Sequence, residues 1–157
     1  MYILAGGLNV EKFKIGGESN FIEFVLNTMH GFPDETSFEG GYTVEGTVNI
    51  QSGNYNVTNG DLWFTTGQVF QLYEQLDEVY KSLKGKVRFH NYECTIDFEI
   101  SFNVTGQINI EGYFRDSSGN GRLEFNFQLD QTYIRSTLKQ LKDIVEIYGG
   151  MRGIKDK

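Results

Sequence analysis

Apolar residues fall on every second position through most of residues 94–129, and this alternation constrains the fold more than any other feature. Successive side chains of a β-strand point to opposite faces, so a period of two predicts strands with one buried and one solvated face. Two short polar segments interrupt the alternation, and we predict three strands joined as an antiparallel meander. The alternating apolar residues are Ile96, Phe98, Ile100, Phe102, Val104, Ile108, Ile110, Phe114, Leu123, Phe125, Phe127 and Leu129.

The register of the first hairpin in this meander follows from its loop. A two-residue loop would turn the two apolar sets to opposite sides. A three-residue loop, 105–107, turns them to the same side and puts Gly106 where a positive φ is needed. The predicted pairs are Val104 with Ile108, Phe102 with Ile110, Phe98 with Phe114 and, on the solvated face, Asp97 with Arg115.

Residues 65–83 show the period of an amphipathic helix. Thr65 and Gln68 have the spacing of a capping box, in which each side chain bonds the backbone N–H of the other residue. Apolar residues then recur at steps of three and four, and Gly85 is predicted to end the helix. The apolar stripe consists of Val69, Leu72, Tyr73, Leu76, Val79, Tyr80 and Leu83.

A second amphipathic helix is predicted over residues 131–148, directly after the meander. Asp130 is its predicted N-cap, and Gly149 and Gly150 are predicted to end it. We expect residues 150–157 to form a frayed tail. The apolar seam of this helix consists of Ile134, Leu138, Leu141, Val145 and Tyr148.

The rest of the chain adds strands but no linker, so residues 1–157 are interpreted as a single domain. The additional predicted strands are 10–15, 20–27, 42–51, 55–57, 62–64 and 86–92, with a turn at 59–61. The fold class is therefore α+β, an antiparallel sheet of about seven or eight strands with two amphipathic helices packed on one face. A two-sheet sandwich with helices is the alternative.

The composition favours a cytoplasmic protein. The N-terminal residues lack the basic and apolar regions of a secretory signal, and no run approaches the roughly 20 apolar residues of a membrane span. No membrane partner is therefore predicted. The single cysteine, Cys94, cannot form an internal disulfide, as is usual in a reducing compartment.

Charge is distributed unevenly along this chain of net charge −7. Residues 15–80 contain ten acidic side chains and no Lys or Arg, whereas the remainder holds all 14 basic residues and the other 11 acids. Direct binding of nucleic acid is not expected of such an acidic half. A basic protein is the better candidate partner, because opposite charge speeds association. An ordinary solvated acidic surface is the alternative interpretation.

The longest predicted loop, residues 28–41, lies in the acidic half and holds the only proline. Long loops in compact domains are commonly functional. Aromatic side chains beside charged ones are also typical of interfaces. The predicted partner-binding residues are Phe32, Asp34, Glu35, Phe38, Glu39 and the nearby Glu45.

Residues that could support catalysis or bind a metal do not combine into a convincing site. His90 and Cys94 share a strand face by parity, but no third group positions them, and we expect Cys94 to be a buried, inert thiol. Residues 116–121 begin like a calcium loop, but Phe127 stands where a bidentate Glu is required, so a hairpin turn is predicted. No catalytic residue, cofactor or metal ion is therefore predicted.

Several runs resemble those of the WapI-type immunity proteins, namely GYTVEGTVNIQSGNYNV, GDLWFTTGQVFQLYEQL and LEFNFQLDQTYIRSTLKQLKDIV. The likeness covers roughly residues 40–149 and is most specific at 62–65 and 130–133. The resemblance implies a small cytoplasmic bacterial protein that has no active site and binds the toxic C-terminal domain of a WapA-like, contact-dependent toxin. Many such toxins are nucleases with basic clefts, which an acidic surface would complement.

Two other functions stay open on the sequence alone. Trp63 and exposed tyrosines could form a small-ligand or carbohydrate-binding module. An enzyme could use carboxylates of the solvated strand face, such as the pair Asp97 and Glu99 or the pair Glu111 and Glu124. Because solvation alone accounts for scattered acids, a non-enzymatic binding protein is the preferred interpretation. The oligomeric state is not predicted.

Overall fold

The computed structural model describes residues 10–117 and 119–156. Four strands, a helix, four strands and a helix follow one another, which confirms the predicted α+β class. The strands are β1 (Glu11–Gly16), β2 (Phe21–His30), β3 (Thr43–Ser52), β4 (Tyr55–Thr65), β5 (Gly85–His90), β6 (Ile96–Phe102), β7 (Gln107–Arg115) and β8 (Arg122–Asp130). The helices are α1 (Thr66–Ser82) and α2 (Thr132–Tyr148), and a short 3-10 turn follows at Ile154–Asp156. No helix in this described part of the chain is long and apolar enough to cross a membrane.

The strands form two antiparallel four-stranded sheets, ordered β1-β2-β3-β4 and β5-β6-β7-β8. Their apolar faces share one hydrophobic core with the buried sides of α1 and α2. The ring of Phe24 on β2 lies 5.1 Å from that of Phe89 on β5 and 6.2 Å from that of Phe98 on β6. The two-sheet arrangement, which was the alternative, therefore replaces a single sheet covered on one face.

β4 is one continuous strand over Tyr55–Thr65, so the predicted break at residues 59–61 is wrong. The register with β3 shifts opposite this point, and Asn59 is accommodated as a bulge with a φ of 53°. The Asn59 backbone N–H donates a hydrogen bond of 2.7 Å to the side-chain oxygen of Asn49. This contact lets pairing resume on both sides of a residue that resembles a turn in the sequence.

The first hairpin of the meander is closed by residues 103–106, so its predicted register is wrong. The side-chain oxygen of Asn103 accepts hydrogen bonds of 3.0 Å from the backbone N–H groups of Thr105 and Gln107. Val104 lies in this loop and is 97% exposed. The observed pairs are Phe102 with Ile108, Ile100 with Ile110, Ile96 with Phe114 and Asp97 with Tyr113, in place of Val104 with Ile108, Phe102 with Ile110, Phe98 with Phe114 and Asp97 with Arg115.

The register error does not change which residues are buried. The observed pairing differs by an even number of residues, so every side chain keeps its predicted face apart from Val104 in the loop. The five phenylalanines of the meander are all buried, namely Phe98, Phe102, Phe114, Phe125 and Phe127. The alternation therefore determined the core of this sheet even though it did not determine the loop.

α1 begins as predicted, with both capping-box hydrogen bonds between Thr65 and Gln68 at 3.0 Å. It ends earlier than predicted, because Leu83 adopts a left-handed conformation with a φ of 57°, ahead of Gly85. Leu83 is consequently exposed and leaves the apolar stripe. The fully buried residues of that stripe are Val69, Leu72 and Leu76.

α2 begins at Thr132 with Gln131 in the N-cap position, whereas Asp130, the predicted N-cap, is the last residue of β8. The Asp130 carboxylate still accepts a hydrogen bond of 2.9 Å from the Thr132 backbone N–H, and this bond lowers the pKa of Asp130. Gly149 ends the helix as predicted. The fully buried residues are Ile134, Thr137, Leu141, Ile144 and Tyr148, so Thr137 and Ile144 were missed by the predicted seam. Leu138 is half-buried against the core as predicted, and Val145 is half-buried.

α2 also covers the outer edge of β1. The Thr137 hydroxyl donates a hydrogen bond of 2.6 Å to the Lys14 carbonyl, and the Lys14 N–H donates one of 2.8 Å to the side-chain oxygen of Gln140. These side chains bond backbone groups that a neighbouring strand would otherwise bond. Thr137 is polar and buried for this reason.

Residues 150–156 are folded against the loop between β2 and β3, so the expectation of a frayed tail is wrong over this part. The Gly41 N–H donates a hydrogen bond of 2.7 Å to the Met151 carbonyl. The Tyr42 hydroxyl accepts a hydrogen bond of 3.1 Å from the Ile154 N–H and donates one of 2.9 Å to the Pro33 carbonyl. The C-terminal segment therefore helps to fix the loop that holds most of the predicted partner-binding residues.

Candidate functional site

A bulge in β2 turns His30 to the outer face of the first sheet. Phe24 and Leu26 lie on the buried face, and unbroken alternation would bury Thr28 and His30 with them. The register with β3 shifts between Leu26 and Thr28, and one extra residue exchanges the two faces from there onwards. His30 consequently lies opposite Thr43 and is exposed.

His30 forms a cluster with Glu45 and Trp63 on this outer face. Trp63 of β4 lies directly opposite Glu45 of β3, and the rings of His30 and Trp63 stack with their centroids 5.6 Å apart. The Nε2 atom of His30 lies 3.2 Å from Oε1 of Glu45. Trp63 remains 45% exposed. The cluster thus presents an aromatic face beside a carboxylate.

Asn91 holds the turn between β5 and β6 against this cluster. Its side-chain nitrogen donates hydrogen bonds of 3.0 Å to the Trp63 carbonyl and 2.6 Å to the Thr95 hydroxyl. Its side-chain oxygen accepts one of 2.9 Å from the Thr95 N–H. Since Asn91 is buried, its bonds fix the turn beside Trp63, with the next two residues, Tyr92 and Glu93, exposed.

The loop between β2 and β3 meets the same turn. Phe38 and Tyr92 make an edge-to-face contact with their centroids 5.7 Å apart, and they remain 88% and 67% exposed. Oε2 of Glu39 is buried and has no hydrogen-bond partner among the residues that the structure describes. The pKa of Glu39 is raised, first by burial and second by the charge of Glu93. A positive charge added here would stabilise both carboxylates.

We call this region the acidic aromatic surface. It draws on three strands of the first sheet and on two loops, so its members are far apart in the sequence. Three of them, Phe38, Glu39 and Glu45, are among the predicted binding residues. No sequence pattern singled out His30, Tyr92 or Glu93, and Trp63 was predicted only as a residue that could bind a small ligand. The members are His30, Phe38, Glu39, Glu45, Trp63, Tyr92 and Glu93.

The other three predicted binding residues lie in the first half of the loop. Asp34 and Glu35 are exposed and are not members of the acidic aromatic surface as defined above. Phe32 packs edge-on against Tyr42 and Tyr148, with centroid distances of 5.1 and 5.0 Å. Phe32 is therefore an anchor for the loop as well as a partly exposed ring.

Cys94 ends the turn that presents Tyr92 and is exposed, so the prediction of a buried thiol is wrong. Its φ of 56° places it in the turn rather than in a strand, and β5 has already ended at His90. Cys94 and His90 consequently do not share a strand face. The Cys94 carbonyl accepts a hydrogen bond of 3.2 Å from the Tyr113 hydroxyl, and Nδ1 of His90 lies 3.3 Å from the Asn91 carbonyl.

Metal-binding geometry is not found in the described ranges 10–117 and 119–156, where no three His, Cys, Asp or Glu residues are placed to hold an ion. The described residues of the calcium-like segment, 116–117 and 119–121, lie between β7 and β8, and the Asp116 N–H donates a hydrogen bond of 2.8 Å to the Gly121 carbonyl, as in the predicted hairpin. The acidic aromatic surface is instead open and combines apolar rings with carboxylates. Such a surface is suited to binding another protein.

The comparisons with known proteins identify the family of this chain. The chain matches the model of the WapI-like immunity protein family over residues 12–149 and belongs to that family. No curated protein and no solved structure matches the chain. Family membership points to a non-enzymatic role in immunity.

Proposed function

We propose that the protein neutralises a cognate toxin by binding a basic region of it through the acidic aromatic surface. Family membership supports the immunity role. The observation that carries the proposed location is the placement of two exposed rings, Phe38 and Tyr92, beside the carboxylates of Glu39 and Glu93. The proposed compartment is the cytoplasm, where the lone Cys94 would stay reduced.

The aromatic rings supply the apolar contact area. Phe38 and Tyr92 are held against each other, so little side-chain entropy is lost when a partner covers them. Burial of apolar area stabilises a complex by roughly 25 cal/mol per Å². Trp63, stacked on His30, extends this area along the outer face of the first sheet. Preorganised aromatic residues of this kind are typical centres of binding energy in protein interfaces.

The carboxylates favour a positively charged partner. Glu39 and Glu93 repel each other in the free protein, and the buried Oε2 of Glu39 lacks a partner among the described residues. A Lys or Arg side chain of the toxin placed beside the two carboxylates would offset this repulsion. Because the pKa of Glu39 is raised, acidification protonates it before an ordinary carboxylate. We therefore expect the affinity for the toxin to decrease as the pH falls through that raised pKa.

The test begins with capture of the toxin from the native strain on the wild-type protein and its identification. The captured toxin domain is then used in binding kinetics and in a growth assay with both proteins co-expressed. The variant E39K/E93K should slow association by about tenfold or more at low salt and should lose protection. The wild-type association rate should also fall with added salt.

The matched control is D34K/E35K, which makes the same change of charge in the loop but outside the acidic aromatic surface. It should slow association less than E39K/E93K does and should retain protection. Both variants change exposed or half-buried side chains, so thermal unfolding should show that both remain folded. Full protection and an unchanged association rate with E39K/E93K would exclude the acidic aromatic surface as the toxin-binding site.

A further inference from the structure

β8 forms an outer edge of the second sheet. β8 is the last strand of its sheet and pairs with β7 alone in the described residues. The Asp116 N–H bonds the Gly121 carbonyl, and bonded pairs alternate along an antiparallel ladder. Odd-numbered residues of β8 therefore bond β7, whereas even-numbered residues direct their N–H and C=O groups away from it. These residues are Arg122, Glu124, Asn126, Gln128 and Asp130.

An open groove adjoins this edge. It has a volume of about 770 Å³ and lies between the turn that connects β3 to β4 and the side chains of Glu124, Asn126 and Gln128. A second cavity, lined by residues 17–20 and by Gln128 and Leu129, lies at one end of the strand, and a third, lined by residues 56–61 and by Arg122 and Leu123, lies at the other. Open cavities thus flank β8 along most of its length.

The sequence of β8, RLEFNFQLD, is nearly palindromic in residue type about its central Asn126. Reversed and set against itself, it places Arg opposite Asp, Leu opposite Leu, Glu opposite Gln, and Phe opposite Phe. Two identical strands related by a two-fold axis are paired in this antiparallel way. We propose that two copies of this chain dimerise by pairing their β8 edges about a two-fold axis at Asn126, which joins their second sheets into one continuous eight-stranded sheet.

The backbone and the side chains favour the same register. With the axis at Asn126, the outward-directed residues of one copy lie opposite those of the other, which gives on the order of ten backbone hydrogen bonds. Arg122 of each copy lies opposite Asp130 of the second copy, so an ion pair forms twice. In the single chain, Arg122 contacts Glu124 at 3.2 Å and its guanidinium lies 4.0 Å from the centroid of the Tyr113 ring. In the dimer this exposed side chain exchanges these contacts for the ion pair with Asp130 of the second copy.

Neighbouring registers are less favourable, which argues for one specific dimer. A shift of two residues in one direction places Glu124 opposite Asp130 of the second copy, and the like charges repel. The opposite shift places Arg122 opposite Gln128 of the second copy and loses both ion pairs. The dimer does not depend on the acidic aromatic surface, since the groove adjoins Ser52 at one end of β3 and the surface includes Glu45 near the other.

Sedimentation and light scattering across concentrations up to the millimolar range test the proposal. The wild-type mass should rise from 17.9 kDa toward twice that value. The variant R122E places like charges opposite Asp130 twice and should weaken dimerisation roughly tenfold or more. D130K should weaken it similarly, and the double variant R122E/D130K should restore it, because the ion pairs then form with reversed sign.

A substitution that removes one backbone N–H of β8 provides an independent test of the dimer. Asn126→Pro removes an N–H that points away from β7, so an edge strand can accept it without losing a bond to β7. It should prevent dimerisation, whereas its control Asn126→Thr keeps the N–H and should dimerise. If Asn126→Pro fails to fold, the charge-swap series still decides. A wild-type protein that stays monomeric throughout, or a dimer unaffected by R122E and not restored by the swap, overturns the proposal.

Discussion

The outer edges of the two sheets differ in how their outward backbone groups are bonded. At the edge of β1, the outward backbone groups of Lys14 are bonded by Thr137 and Gln140 of α2. At the edge of β8, the outward groups face an open groove. An exposed edge strand is a template for pairing with another chain, and proteins normally cover or disrupt it. The comparison indicates that one edge is closed by the fold itself and that the other is available for association.

The edge of β5 differs from both, because it carries paired charged side chains. Its outer face carries Lys86 and Arg88, which pair with Glu99 and Asp97 of β6. Charged side chains on an edge strand discourage unspecific pairing because a second strand would have to desolvate them. β8 also carries charges, but their order is self-complementary. What distinguishes the two strands is therefore the arrangement of charge and not its presence.

Hydrogen exchange should show the largest difference between the β1 and β8 edges. In a monomeric variant such as R122E, the outward amides of Glu124, Asn126 and Gln128 should exchange nearly freely. The Lys14 amide, bonded to Gln140, should exchange at least about a hundredfold more slowly. The measurement is amide exchange followed by NMR. The odd-numbered amides of β8 are an internal control, and uniform protection along β8 in the monomer would mean that its edge is covered.

Removal of the hydrogen bond from Thr137 to the edge of β1 should have a smaller but clear effect on stability. Thr137→Val keeps the shape of a fully buried side chain but leaves the Lys14 carbonyl without its donor. We expect it to lower the free energy of unfolding by about 1–3 kcal/mol, as measured by urea denaturation. Ser136→Ala, at the neighbouring exposed position of α2, is the control and should change it by less than about 0.5 kcal/mol. Equal values for the two variants would contradict the closing role of Thr137.

The charged edge of β5 should give the smallest effect. The Arg88 guanidinium donates hydrogen bonds of 3.0 and 2.6 Å to the two carboxylate oxygens of Asp97, and these bonds lower the pKa of Asp97. A carboxyl whose folded pKa is lowered stabilises the fold above its unfolded pKa, and this stabilisation is lost as the pH falls through the folded value. Asp97→Asn should therefore slightly lower the urea midpoint at neutral pH.

The urea midpoints of the wild type and of Asp97→Asn should also be compared at low pH. Below the folded pKa of Asp97 the wild type has lost the ion pair as well, so its midpoint should approach that of Asp97→Asn. Glu99→Gln is the control, because the contact of Glu99 with Lys86 is longer, at 3.6 Å. A deficit of Asp97→Asn that persists at low pH would mean that the substitution disturbs packing rather than charge.

Local patterns in the sequence were sufficient wherever neighbouring residues determine the structure. The capping box of Thr65 and Gln68 gave the start of α1, because both hydrogen bonds close within four residues. The alternation in the meander gave the buried phenylalanines, because burial depends on which face a side chain occupies and not on which residue it opposes. The family resemblance rested on these same segments and is confirmed by the family match.

Tertiary structure alone decided the features that depend on distant residues. The bulge that exposes His30 is defined by pairing with β3. The acidic aromatic surface forms because Asn91 fixes its turn beside Trp63. Alternation and capping by themselves determined which phenylalanines of the meander are buried and where α1 begins. The register of its strands and the assembly of its surface required contacts between segments whose separation leaves no periodic signal in the sequence.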